Sequence, residues 1–189
     1  MASVPLGTKT AISLPSIAET EEAGNLIAWV EATVYHQHAG WFPGHASDYS
    51  PDVLKRLEIG ANVTAVDHLR ARDIREKFKE QLLEVFTSND LDALVVPTTP
   101  ITATRIGEDS VLVNGASYPT RALLLRLNRP ANLAGVPAIS VPCGLTKNGL
   151  PIGLQFISQW TEEALLLEIA RSFESACPLN SRPRLDALV

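Results

Sequence analysis

The sequence predicts an α/β fold, with a helical first part followed by a sheet-forming second part and its flanking helices. Three observations carry that prediction. Apolar residues recur at helical spacing from about residue 19 to Ser88. Short apolar runs bounded by Gly and Pro begin at Leu91, and an Asn148-Gly149 pair lies between two of them. At 189 residues, with 46% apolar and 20% charged residues, the chain has ordinary globular composition and the length of one domain. Residues 1–189 divide into a mainly helical segment at 1–88, a strand/helix segment at 89–177 and a tail from Pro178 to 189.

The helical segment opens with residues 19–38. Ala23, Ile27, Val30 and Val34 share a face there, and acidic residues gather at the start, where they suit the helix dipole. Gly40, Pro43 and Gly44 break the chain. Ser50-Pro51 has the form of an N-cap followed by Pro at the first helical position, opening a short helix that Gly60 is placed to stop. Thr64, with Asp67 three residues on, forms a capping box for a long helix whose face carries Val66, Leu69, Ile74, Phe78, Leu82 and Phe86.

The second segment alternates. Residues 91–96 form a strand ended by Pro97-Thr98-Thr99-Pro100, and 101–119, with Gly107, Gly115 and Pro119, form a loop. A helix over 120–133 follows, kinked or shortened by Pro130 and stopped by Gly135. Residues 138–142 and 152–157 are strands, and Asn148-Gly149 between them predicts a hairpin over 138–157. The pairing is Ile139–Cys143 with Ile152–Phe156, and the 91–96 strand joins the same sheet. Thr161 caps a last helix with Leu166, Ile169, Ala170 and Phe173 facing inward, and the tail frays.

Composition removes several function classes. A net charge of -5, with both signs interspersed, leaves no basic stripe for a phosphate backbone, so no direct nucleic-acid partner is expected. Two cysteines without repeated spacing do not make a disulfide framework or a thiolate metal site. No apolar run is long enough for a membrane span, and the first residues lack the pattern of a signal peptide. The Asn62-Val63-Thr64 sequon then carries no meaning, and the expected location is cytoplasmic.

Candidate chemistry is sparse. His36, His38 and His45 with Asp48 could suggest a metal site, but His36 and His38 lie two apart on a helix and point away from each other. Cys143, between Pro142 and Gly144 at a strand end, is a conceivable nucleophile, although small buried cysteines usually fill core space. No G-x-S-x-G elbow, phosphate-cradling loop or H-E-x-x-H occurs. No catalytic, metal or cofactor residue is assigned.

A set of segments carries more information. They are Asp92–Pro100, Arg129–Gly144, Gly149–Ile157 and Glu162–Glu174, preceded by Glu31–His36, Tyr49–Val53 and Arg56–Gly60. In order and spacing, from about Ile12 to Ala176, they closely resemble the closing segments of the amidase-signature family. That family includes general amidases and the glutamyl-tRNA amidotransferase component that carries the amidase activity.

The resemblance implies the C-terminal part of the amidase-signature fold, a mixed β-sheet with flanking helices, so that 1–189 is a partial domain. It implies hydrolysis of a carboxamide by a Ser/Ser/Lys set, in which a buried neutral Lys acts as base through a bridging Ser and backbone N–H groups stabilise the oxyanion. Those elements lie in the family's N-terminal half, and this sequence has no Ser-Ser or Gly-Gly dipeptide to replace them. The expected partners are therefore that N-terminal half, a small amide substrate, or a second copy of the chain; a non-catalytic folding or interaction module is the alternative.

Two positions bear on substrate. Arg56 aligns with an Arg that holds the glutamine carboxylate in the amidotransferase branch, although with Lys55 it also fits a solvated basic pair. Leu125 stands where that branch has an Asp for the glutamine amino group. Losing that charge-assisted contact favours a non-glutamine amide.

Overall fold

The computed structural model describes residues 7–8, 10–15 and 17–179; the predicted tail lies outside them from residue 180 onward. The chain forms two compact units. One holds residues 13–89 with 132–134, and the other holds 90–131 and the residues from 135, with those before 13.

The first unit is helical. Helix α1 spans Ala18–His38, α2 Pro51–Asn62 and α3 Ala65–Ser88, with a 3-10 turn at Ala46–Asp48. Ala23 and Ile27 of α1 pack with Ala71 of α3 and Leu133 as its core. The inward stripe of α1 runs on to Thr33 rather than Val34, which is exposed. Thr33 donates from Oγ1 to the Leu57 carbonyl at 2.9 Å, tying α1 to α2, and that contact turns Val34 outward. In α3 the buried residues are Ala71, Phe78, Leu82 and Phe86, while Val66 and Leu69 are exposed. Positions 69 and 71 fall on opposite sides of a helix, so choosing Ala71 for the core excludes Leu69.

The two helix starts behave differently. Thr64 accepts from the Asp67 amide at 3.1 Å, which caps α3. Its hydroxyl donates to the Asp67 carboxylate at 2.6 Å, so the carboxylate meets the Thr64 side chain where a capping box would use the Thr64 amide. Replacing Thr64 with Ala is expected to lower stability by about 1 kcal/mol, read from urea unfolding. A loss below about 0.3 kcal/mol would show that the cap does not hold α3. Ser50 precedes α2 as predicted, but its hydroxyl goes to Asp52 rather than to the backbone.

Gly60 is not a terminator, because α2 continues through it to Asn62. A Cβ at Gly60 would collide with the backbone of Trp29 and with Thr33 Oγ1, so the glycine permits the close crossing of α1 and α2.

The second unit holds the sheet. Strands β1 (Leu94–Pro97), β4 (Ala138–Leu145) and β5 (Pro151–Ile157) are ordered β1-β5-β4, both pairings antiparallel. Ile139 pairs with Phe156 and Val141 with Leu154, and Leu94 on the other side pairs with Ile157. The turn closes at Gly149, whose positive φ of 79° needs no Cβ, with the Gly149 amide donating to Thr146 O at 3.0 Å. Helix α6 (Glu163–Ala176) covers one sheet face: Leu166, Ala170 and Phe173 pack on Val141 and Phe156, with Ile169 partly buried beside them. Thr161 does not cap α6. It sits at φ 70° and its hydroxyl donates to the Trp160 carbonyl, leaving Glu162 at the cap position.

Residues 101–119 are not all loop. Strands β2 (Ser110–Val113) and β3 (Ala116–Pro119) form a second hairpin. Asn114 and Gly115, at φ 51° and 80°, supply the two positive-φ positions of its tight turn. The helix predicted at 120–133 divides into α4 (Thr120–Arg126) and α5 (Arg129–Ala134), with Pro130 in the first turn of α5. Gly135 ends α5 in left-handed conformation, donating to Ala131 O at 2.9 Å.

Candidate functional site

The sheet face opposite α6 is polar at its middle. Alternation places Val96, Thr98, Gly153, Gln155 and Ser140 on it. Gly153 is the reason two hydroxyls from the outer strands can meet there: Thr98 Oγ1 and Ser140 Oγ lie 2.5 Å apart across β5. A Cβ at Gly153 would come within 2.5 Å of Thr98 Oγ1 and 2.9 Å of Ser140 Oγ. Beside them Gln155, 4% exposed, donates from Nε2 to Leu127 O at 3.0 Å. The loop after β1 is held by Thr99 Oγ1 donating to Ile101 O at 2.6 Å.

This arrangement orders the two hydroxyls against each other. A hydroxyl nucleophile needs a base in hydrogen-bond reach, and here the Thr98 and Ser140 hydroxyls bond to each other. The described lysines do not fit the role of a neutral buried base. Lys55, Lys77 and Lys147 are exposed, and Lys79 pairs with Glu76 at 2.9 Å.

Cys143 departs from the expected core filler. It is the extra residue of a β-bulge between Pro142 and Gly144, and it is exposed. Its Sγ donates to Ile152 O at 3.4 Å, and partial burial of the sulfur pushes the thiol above its ordinary range, so the thiolate is disfavoured. Cys177, partly buried against the α6 layer, is the cysteine that packs as core.

Arg56 and Leu125 belong to different units. Arg56 is half-buried and donates from Nη2 to Asp52 Oδ2 at 2.8 Å, one helical turn earlier. Ser50 donates to the other oxygen at 2.7 Å. The Ser50 hydroxyl and the Arg56 guanidinium together hold the Asp52 carboxyl below the usual carboxylate range. Lys55 is exposed and borders a groove of about 860 Å³ between α1, α2 and α3, so the two basic neighbours have different surroundings. Leu125 is half-buried in α4, and its carbonyl accepts from the Asn128 amide at 3.2 Å.

The histidines are not gathered. His36 Nδ1 lies 2.7 Å from the Tyr49 hydroxyl, and His45 Nδ1 lies 3.5 Å from Asp48. Among the described residues no three His, Cys, Asp or Glu side chains come together as a metal site, and no helix is long and apolar enough to cross a membrane.

The chain is similar in sequence and fold to known proteins. The family profile described as Amidase matches residues 8–167. A fatty acid amide hydrolase of Medicago truncatula is 38% identical over 139 residues, covering 74% of this chain and 23% of that protein. A second fatty acid amide hydrolase, from Arabidopsis thaliana, is 35% identical over 142 residues, covering 75% of this chain and 23% of that protein. A crystal structure of an amidase superposes with a TM-score of 0.80 at 26% identity, over 88% of this chain and 37% of that one. The chain therefore spans 23% to 37% of the length of these relatives.

Proposed function

The chain belongs to the amidase family, and from that premise we propose that it forms the C-terminal portion of an enzyme hydrolysing carboxamide C–N bonds to carboxylate and ammonia. In this reading the nucleophilic Ser, the bridging Ser and the Lys come from an N-terminal portion. The observation that carries it is the amidase match over residues 8–167 of a chain that spans only 23% to 37% of its relatives' length. The Thr98 and Ser140 hydroxyls bond to each other, and no described lysine is buried. The sheet supports it too. Val95, on the face that α6 covers at Phe156, is 52% exposed, and neither outer edge of β1-β5-β4 has a strand partner among the described residues. Such edges and uncovered apolar positions suit docking of further sheet and core.

Within that enzyme Arg56 would face an anionic or polar group of the substrate, oriented by Asp52. Leu125 would supply apolar surface where a carboxylate serves an ammonium in the amidotransferase branch, so the substrate is an amide without that ammonium.

The purified chain is expected to give no turnover of acetamide, propionamide or benzamide. Co-expression with the N-terminal portion of a related amidase is expected to restore hydrolysis, because loss of triad members removes orders of magnitude in rate. Turnover by the chain alone that disappears in Cys143→Ala would overturn the proposal. A stable chain that ignores every such partner would favour a non-catalytic module instead.

A further inference from the structure

The loop between α1 and α2 is tightly organised by its own backbone. The amides of Trp41 and Phe42 both donate to His36 O, at 3.0 and 3.2 Å. The His45 amide donates to Trp41 O at 2.8 Å, Ala46 to Pro43 O at 3.1 Å, and Asp48 to His45 O at 3.0 Å. This frame gathers three rings around His36. The imidazole centroid lies 5.8 Å from that of Tyr35, 5.6 Å from Trp41 and 5.3 Å from Tyr49, each edge-on. The bond between His36 Nδ1 and the Tyr49 hydroxyl fixes the centre of the cluster.

Beside the cluster lies a concavity of about 400 Å³ lined by Trp41, His45, Asp48 and Tyr49. We propose that this concavity binds an organic ammonium ion, with Trp41 and Tyr49 as its aromatic wall and Asp48 as its counter-charge. The chemistry of the lining selects this class. Indole and phenol rings attract a cation through their quadrupoles, most strongly for Trp. Asp48 is exposed, and its neighbours occupy it loosely: Ser47 donates to Oδ1 at 3.4 Å and His45 Nδ1 lies 3.5 Å from Oδ2. Its oxygens thus keep acceptor capacity for a cation. An anion would meet the Asp48 charge, and a neutral ligand would gain nothing from it. A bare metal ion would find one carboxylate and one imidazole, fewer ligands than transition-metal sites use. A hydrogen-bonded loop holds the wall in place before binding, which lowers the ordering cost.

The test uses the whole chain at pH 8 and 150 mM salt. Choline and its neutral isostere 3,3-dimethylbutan-1-ol are titrated while the three indole Nε1–H resonances are followed, with Trp41 assigned through Trp41→Phe. Choline is expected to shift the Trp41 resonance saturably in the millimolar range, and the neutral alcohol to bind about tenfold more weakly. Asp48→Asn, a change at an exposed side chain, should weaken choline about three- to tenfold and leave the alcohol unchanged. Trp41→Ala should abolish saturation at the Asp48 amide, provided the Tyr49 and His36 resonances show the loop intact. Equal affinity for the two compounds, an unaltered choline affinity in Asp48→Asn, or no saturable shift would each overturn the proposal. Because the readout is binding to the chain alone, it stands or falls independently of amide hydrolysis.

Discussion

Replacing Phe156 with alanine is expected to destabilise the chain by about 3–5 kcal/mol, the range for emptying a buried aromatic site. Phe156 has no exposed surface, and its ring meets Phe173 edge-on at 5.6 Å. Val141, Leu166 and Ala170 close the same cluster, so it joins the central strand to α6. The site collapses poorly, because two of its walls are backbone-paired strands and the third is a helix fixed along its length. For a chain of this size the loss corresponds to a fall in melting temperature of about 6–20 °C. Phe156→Leu, which keeps most of the volume, should cost about 1–1.5 kcal/mol. Circular dichroism melts of the three chains check this. An alanine variant within about 1 kcal/mol of the parent would mean that the α6 layer is not the core of the sheet unit.

What could be read in advance was local. Thr64 and Asp67, three residues apart before an apolar run, contain the N-cap of α3. Asn148-Gly149 marks its hairpin, although the turn itself runs from Thr146 to Leu150, with Gly149 as the positive-φ residue. Pro130 and Gly135 mark where α5 starts and stops. Asn114-Gly115 carries the same dipeptide signal, with Val111 and Val113 before it and Ala116 after. Its strands are only four residues long and mostly exposed, so they lack a clear apolar alternation in the sequence.

Where the structure departs from the sequence pattern, the cause is not local. A β-bulge adds one residue and reverses the facing of what it displaces, which is how Cys143 leaves the core. Val34, Val66 and Leu69 are apolar and correctly periodic to within a residue, but the choice among neighbouring faces was made by Thr33 and Ala71, through contacts with other helices. The candidate site is the extreme case. Thr98 and Ser140 lie 42 positions apart, and only the β1-β5-β4 order and register bring their hydroxyls together over Gly153. By contrast, Asp52 and Arg56 stand at i,i+4 on one helix, so their pairing was available from spacing alone.

Gly60 shows how far such a contact can reverse a local rule. In an exposed helix interior, Gly→Ala stabilises by about 1 kcal/mol, since alanine restricts the unfolded chain and favours helix. At Gly60 the sign should invert. The residue is buried against α1, and an added Cβ would overlap the Trp29 carbonyl as well as the Thr33 hydroxyl. The hydroxyl could rotate, at the cost of its 2.9 Å bond to Leu57 O. The Trp29 backbone, inside α1, can yield only if the helices separate. Overpacking of this kind typically costs about 1–3 kcal/mol, so Gly60→Ala should lose about 2 kcal/mol net and Gly60→Val about 3 kcal/mol or more. Adding Thr33→Ala to Gly60→Ala separates the two obstacles, since it removes the hydroxyl and leaves the backbone. The double variant should recover less than half of the loss, measured by urea unfolding at constant m-value. A Gly60→Ala chain as stable as the parent would mean that α1 and α2 do not cross this closely, and would return Gly60 to an ordinary helix position.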